Sequence, residues 1–140
     1  TYSAHPVSAA IGLEVLRLYH EGGLLANGIA QAPRFEAGLQ QLAQHPLVGD
    51  ARSRGLVGAL ELVADKGNKR PFDASLGLSD RIGRLAYRHG LIFRAFHDNI
   101  LGFAPALCYR EADFEQLFTR LRRTLDELLE QPDIRSAIRG

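Results

Sequence analysis

Arg94 is the residue in this chain whose type and spacing most invite chemistry. On a strand of period two it shares a face with Ile92 and Phe96. A guanidinium keeps its charge in a protein, so on an apolar face it must find an anion or reach water. Two readings follow. Its planar fork grips the carboxylate of a ligand, or it pairs with a carboxylate of the chain such as Glu61 or Asp98. Spacing alone favours the second, because ion pairs at strand ends are common and weak.

The other reactive residue types support less. The only lysines, Lys66 and Lys69, fall in the polar stretch Asp65–Asp73. A lysine that forms a Schiff base needs desolvation or a neighbouring cation to lower its pKa, and that stretch offers little desolvation. Neither lysine is read as catalytic. The five histidines, His5, His20, His45, His89 and His97, form no HExxH motif, and none pairs with Cys108 at zinc-ligand spacing, so no metal site is expected. There is no glycine-rich phosphate loop and no GxSxG elbow. Cys108 has no histidine partner in sequence and is read as a small buried apolar side chain.

These residues must be positioned by the elements the pattern encodes. Pro6 suits the first turn of a helix on which Val7, Ile11, Val15 and Leu18 recur, ended by Gly22-Gly23. A second helix aligns Leu25, Ile29, Ala32, Phe35, Leu39 and Leu42, with Pro33 inside it as an expected kink and His45-Pro46 closing it. Val48–Arg54 and Leu56–Val63 read as two strands around Arg54-Gly55. The second is apolar on both faces, so part of it is expected to be covered twice. A third helix spans Ser79–His89 and stops at Gly90. Leu91–Phe96 is a strand, His97-Asp98-Asn99 a turn, and Ile100–Ala104 the returning strand. A last amphipathic helix carries Phe114, Leu117, Phe118, Leu121, Leu125 and Leu128 in one stripe. The tail from Pro132 to Gly140 is expected to lie at the periphery. Short turns between paired strands imply a largely antiparallel sheet with helices on one face, an α+β fold.

Composition excludes whole classes of partner. The chain has 140 residues, is 46% hydrophobic and carries a formal net charge of +1, which suits one modest domain and implies no strong electrostatic partner. No basic block tracks a nucleic-acid backbone, and no apolar run is long enough to span a bilayer. One cysteine excludes an internal disulfide and suits a reducing compartment, so a cytoplasmic location is expected. The chain opens at Thr1 and contains no Met, so a preceding segment is expected.

Four stretches in series resemble one family. Thr1-Tyr2-Ser3-Ala4-His5-Pro6, followed by Val7-Ser8-Ala9-Ala10, resembles the TYSGHPVAAA segment of the class III aminotransferases. VGDARSRGLVGALELV (48–63) is similar to the family's VxxVRGxGLMxGxEL hairpin, and LIFRAFHDNILGFAPAL (91–107) to its GLxxRxxGDxIxxxPPL strands. The final amphipathic helix matches the family's end. Three departures stand out: Ala4 for the glycine of SGHP, Ala106 for the second proline of PPL, and Arg110 where a threonine commonly caps the helix.

The resemblance implies the C-terminal segment of a fold-type I enzyme dependent on pyridoxal 5′-phosphate. Residues 1–46 would be a helical segment linking the large cofactor domain to the small α+β domain of residues 47–140. The activity implied is amino-group transfer between an amine or ω-amino acid and a keto acid such as pyruvate. The Schiff-base lysine and the main phosphate loop would lie upstream, so this segment alone would be inactive. Thr1 would bind the cofactor phosphate of the neighbouring subunit in a homodimer or a tetramer. Arg94 would be the mobile arginine that binds the substrate carboxylate, which reverses the reading from spacing alone. An aminomutase, racemase or decarboxylase on the same scaffold is the rival enzyme, and a non-enzymatic α+β ligand-binding module the rival outside that class.

Overall fold

The computed structural model describes residues 3–139. Helices α1 (Pro6–His20) and α2 (Leu24–Leu42) lead into the hairpin of β1 (Val48–Arg54) and β2 (Val57–Leu62). Then follow α3 (Leu78–Arg88), β3 (Arg94–Ala95), β4 (Ile100–Phe103), α4 (Glu111–Glu130) and α5 (Pro132–Arg139). The sheet order is β1-β2-β4-β3 and every pair is antiparallel, as expected for the α+β class.

Local chemistry explains the element ends. Gly23 at φ 71° opens α2, and Gly90 at φ 70° stops α3, both in left-handed backbone that glycine adopts without steric cost. Gly55, at φ 59°, turns the β1–β2 hairpin. Arg110 stands at the N-cap of α4, where the resemblance implies a threonine, and has no side-chain acceptor to offer. The end is held instead from inside the helix: the Arg110 N–H donates to the Asp113 carboxylate at 2.8 Å, and an acidic first turn suits the helix dipole.

Alternation along the strands sorts side chains onto two faces. Gly58, Leu60 and Leu62 of β2 and Leu101 and Phe103 of β4 are buried beneath the helices. They meet Phe35, Leu39 and Leu42 of α2, Ile82 and Leu85 of α3, and Phe114, Leu121, Leu125 and Leu128 of α4 in one core. Gly58 is small because α2 sits on it: a methyl there would lie 2.5 Å from Leu39 Cδ1 and 2.8 Å from the Phe35 ring.

The structure corrects several expectations. The double cover expected of the second strand is met only at its end, where Leu62 and Val63 are both buried; nearer the turn the second face is open, with Val57 65% exposed. The expected strand Leu91–Phe96 shrinks to Arg94–Ala95, because Leu91 closes α3 by donating its N–H to the Ala86 carbonyl and the edge strand pairs with β4 alone. The first half of α2 leaves the core, with Ile29 76% exposed, and α1 buries no side chain at all. Cys108 is exposed rather than buried. The tail is not peripheral: α5 packs back on the core, with Ile134 0% exposed and Ala137 and Ile138 against it.

Candidate functional site on the open face of the sheet

The site is built by register. Arg94 of β3 stands opposite Gly102 of β4, Gly102 opposite Ala59 of β2, and Ala59 opposite Arg52 of β1. Neighbouring strands lie roughly 4.8 Å apart, so the two arginines flank a trough floored by one methyl group and one hydrogen. Gly102 keeps that floor low: a Cβ there would meet Phe96 Cε2 at 2.9 Å.

The two arginines are in different electrostatic states. Arg52 is occupied, donating to Asp50 at 2.7 Å and to Glu61 at 3.2 Å. Among the described residues Arg94 makes no ion pair, so the pairing with Glu61 or Asp98 that spacing favours is not formed. Its guanidinium carbon instead lies 5.5 Å from the centroid of the Phe96 ring, a cation–π contact that leaves its N–H groups free for an anion. The turn that follows is pinned at its ends: Phe96 N–H donates to the Ile100 carbonyl at 2.8 Å, Ser79 Oγ–H donates to the Phe96 carbonyl, and Asn99 takes a left-handed φ of 65°.

Beside Arg94 a groove of about 900 Å³ runs from Ile92, Arg94 and Phe96 to the segment after β4, where Ala104, Pro105, Ala106 and Tyr109 line it. Apolar walls with one free cation suit a small molecule that has an apolar body and a carboxylate. Arg54, on the same open face and exposed, is a second cation without an ion pair among the described residues; the hairpin register brings it there, and spacing does not single it out.

Neither lysine reaches this face. Lys66 Nζ donates to the Ala43 carbonyl at 2.7 Å and the His45 carbonyl at 3.2 Å, capping the end of α2. Lys69 lies in the loop with a positive φ of 55°. The described residues therefore do not fit pyridoxal phosphate by themselves, since no lysine faces the groove. Thr1, the expected phosphate ligand, lies outside the described residues. No group of three metal-ligating side chains occurs among the described residues.

A family model described as Aminotransferase class-III matches residues 1–125. The chain belongs to the class III aminotransferases. It is 40% identical over 129 residues to a putrescine–pyruvate aminotransferase of Pseudomonas aeruginosa, covering 91% of this chain and 28% of that protein. It is 38% identical to an uncharacterised aminotransferase of Sinorhizobium fredii, covering 92% of this chain and 29% of the relative. Among solved structures, an ω-aminotransferase from Paracoccus denitrificans superposes with a TM-score of 0.85 at 38% identity, over 89% of this chain and 27% of that one. An ω-transferase from Vibrio fluvialis gives 0.86 at 36% identity, over 92% and 30%. This aminotransferase chain thus spans less than a third of the length of the relatives it matches.

Proposed function

We propose that this chain is the C-terminal part of a pyridoxal-phosphate-dependent transaminase that moves an amino group between an amine or ω-amino acid and a keto acid such as pyruvate. Its contribution is the wall of the substrate site and the arginine that holds the substrate carboxylate. The observation that carries this reading is Arg94: a cation without an ion pair among the described residues, resting on an aromatic ring at the rim of an apolar groove. The P. aeruginosa relative acts on putrescine and pyruvate by name, one substrate without a carboxylate and one with. An arginine that stacks on Phe96 when no carboxylate is present, and turns to one when it is, would accept both.

A bidentate pair shielded from water is worth more than a surface ion pair, on the order of 2 to 4 kcal/mol when one partner is removed. Arg94→Ala in the complete enzyme should raise the KM for keto acids by about 10- to 1000-fold. The half-reaction with an uncharged amine should stay nearly unchanged. Equal losses with the keto acid and with the uncharged amine would make Arg94 structural and defeat the reading.

The remaining assignments are proposals on the same footing. Pyridoxal phosphate supplies the electron sink, and the lysine that carries it lies elsewhere in the polypeptide. Residues 1–46 link the small domain of 47–140 to a large domain; the exposed apolar side chains of α1, Leu13 at 70% among them, support this, since a helix apolar all round is ordinarily buried. The enzyme is a cytoplasmic homodimer in which Thr1 meets the cofactor phosphate of the partner subunit. One set of measurements tests the cofactor seat. Thr1→Ala should weaken cofactor retention, and borohydride trapping of the complete enzyme should leave Lys66 and Lys69 unmodified. A reduced adduct at either lysine, or unchanged retention in the variant, would count against it.

A further inference from the structure

The segment between β4 and α4, residues 104–110, forms one wall of the groove yet belongs to no regular element. Its position is held from the opposite side by α2. The Asn27 side-chain amide donates one N–H to the Leu107 carbonyl at 2.6 Å and the other to the Tyr109 carbonyl at 2.9 Å. An amide nitrogen has two hydrogens, and both are used on this one segment. Gly28, the next residue, is buried and lets the segment come close: a Cβ there would lie 2.6 Å from Leu107 Cδ2. Between its clamped carbonyls the segment turns on itself, Tyr109 N–H donating to the Ala106 carbonyl at 3.0 Å. The Tyr109 ring then packs edge-on against Phe114 with centroids 5.5 Å apart. One side chain on α2 therefore sets where Ala106 and Tyr109 stand relative to Arg94.

We propose that Asn27 is a positioning residue that fixes the groove wall opposite Arg94 and so sets how the apolar body of the substrate is held while its carboxylate is gripped. The inference rests on the substrate groove proposed above. Asn27 touches no substrate and acts only through residues 104–110. Removing its two donors leaves two carbonyls to find water and loosens the wall they hold. Displacements of an ångström at a binding wall cost far more than their distance suggests.

The test uses the complete enzyme with Asn27→Ala and Asn27→Asp. Aspartate has the size of asparagine but gives no N–H and sets a carboxylate against the two carbonyls, so it should loosen the segment at least as much as alanine if the hydrogen bonds matter, and less than alanine if packing does. Amide exchange in the peptide covering residues 106–110 should quicken by about 10-fold or more in both. The KM for the amine and for pyruvate should rise by about 3- to 30-fold while kcat changes by less than about 3-fold. Unchanged exchange overturns the latch. Faster exchange with unchanged KM values overturns the positioning role. In that event Arg94→Ala, measured alongside, separates the two ideas: a raised keto-acid KM there retires Asn27 alone, and an unchanged one retires the groove as well. Should the Asn27 variants fail to fold, Gly28→Ala displaces the same segment through Leu107 and leaves the hydrogen-bonding groups in place. It should raise KM in the same direction, and adding Leu107→Ala should restore it. A Gly28→Ala enzyme with wild-type KM values overturns the proposal.

Discussion

An arginine on an open sheet face must be solvated, paired or stacked, because its charge is permanent. Arg52 and Arg94 occupy one row of the sheet and take different solutions, Arg52 between Asp50 and Glu61 and Arg94 over Phe96. The division follows from the register: Asp50 lies opposite Glu61 at the β1–β2 end of the face, and β3 is separated from both by β4. The proposed role of Arg94 needs the planar fork as well as the charge. Arg94→Lys keeps the charge, loses the bidentate geometry and stacks less well on the ring. Its keto-acid KM should remain raised by about 10-fold in steady-state assays, between wild type and Arg94→Ala. Full recovery by lysine would mean that a point charge suffices and that the fork plays no part.

At the scale of elements, the departures from expectation have a common cause, which is that an apolar stripe states a need for burial and not where burial occurs. The stripe on α4 is met inside the chain, by the sheet and by α2 and α3. Most of the apolar surface of α1 stays exposed, with Leu18 only half-buried, and the open face of β2 borders the groove. The short C-terminal helix behaves in the opposite way. Its sequence reads as a peripheral tail, yet Arg81 of α3 donates to Gln131 at 3.2 Å and pairs with Asp133 while Ile134 lies in the core. Ile134→Ala should destabilise the protein by about 2 to 4 kcal/mol, the usual range for emptying a fully buried aliphatic site. Urea denaturation read by circular dichroism measures it; a loss below about 0.5 kcal/mol would return α5 to the periphery.

At the scale of the whole molecule, His45 joins the end of α2, the entry to β1 and the C-terminal part of α4. The Leu47 N–H donates to its Nδ1 at 3.2 Å, so its Nε2 carries the proton toward Asp126 Oδ1, also 3.2 Å away. Burial holds its pKa below the ordinary histidine value of 6.5, against the pull of Asp126 and with a smaller push from Arg122 and Lys66. The sign follows from proton linkage. Below the unfolded value the unfolded chain binds a proton that the folded one refuses, so stability falls as pH drops from about 6.5 toward the folded value. Glu127, held below its usual range by its hydrogen bond to His89, and Asp133, held down by Arg81, act in a separate and more acidic window, below the ordinary carboxylate values of 4.5 and 3.8. His45→Asn can keep the acceptor for Leu47 and removes the titration. Denaturation midpoints between pH 7.5 and 5 should slope less in this variant than in wild type; equal slopes would place the titration elsewhere.

The order of elements, the antiparallel hairpins, the α4 stripe and the glycines at Gly23, Gly55 and Gly90 were legible in the sequence, because each depends on neighbours within a few residues. Four motifs in their proper order also sufficed to recognise the family, and the family match over residues 1–125 bears that out. Whether Arg94 pairs with Glu61 was not legible, nor was the hold of Asn27 on carbonyls 80 and 82 residues away. The return of Ile134 to the core and the exposure of Cys108 were equally hidden. Each of these depends on which strands become neighbours and which carboxylates are already taken. Those contacts between distant residues are set by the packed chain as a whole, and no local pattern of residue types encodes them.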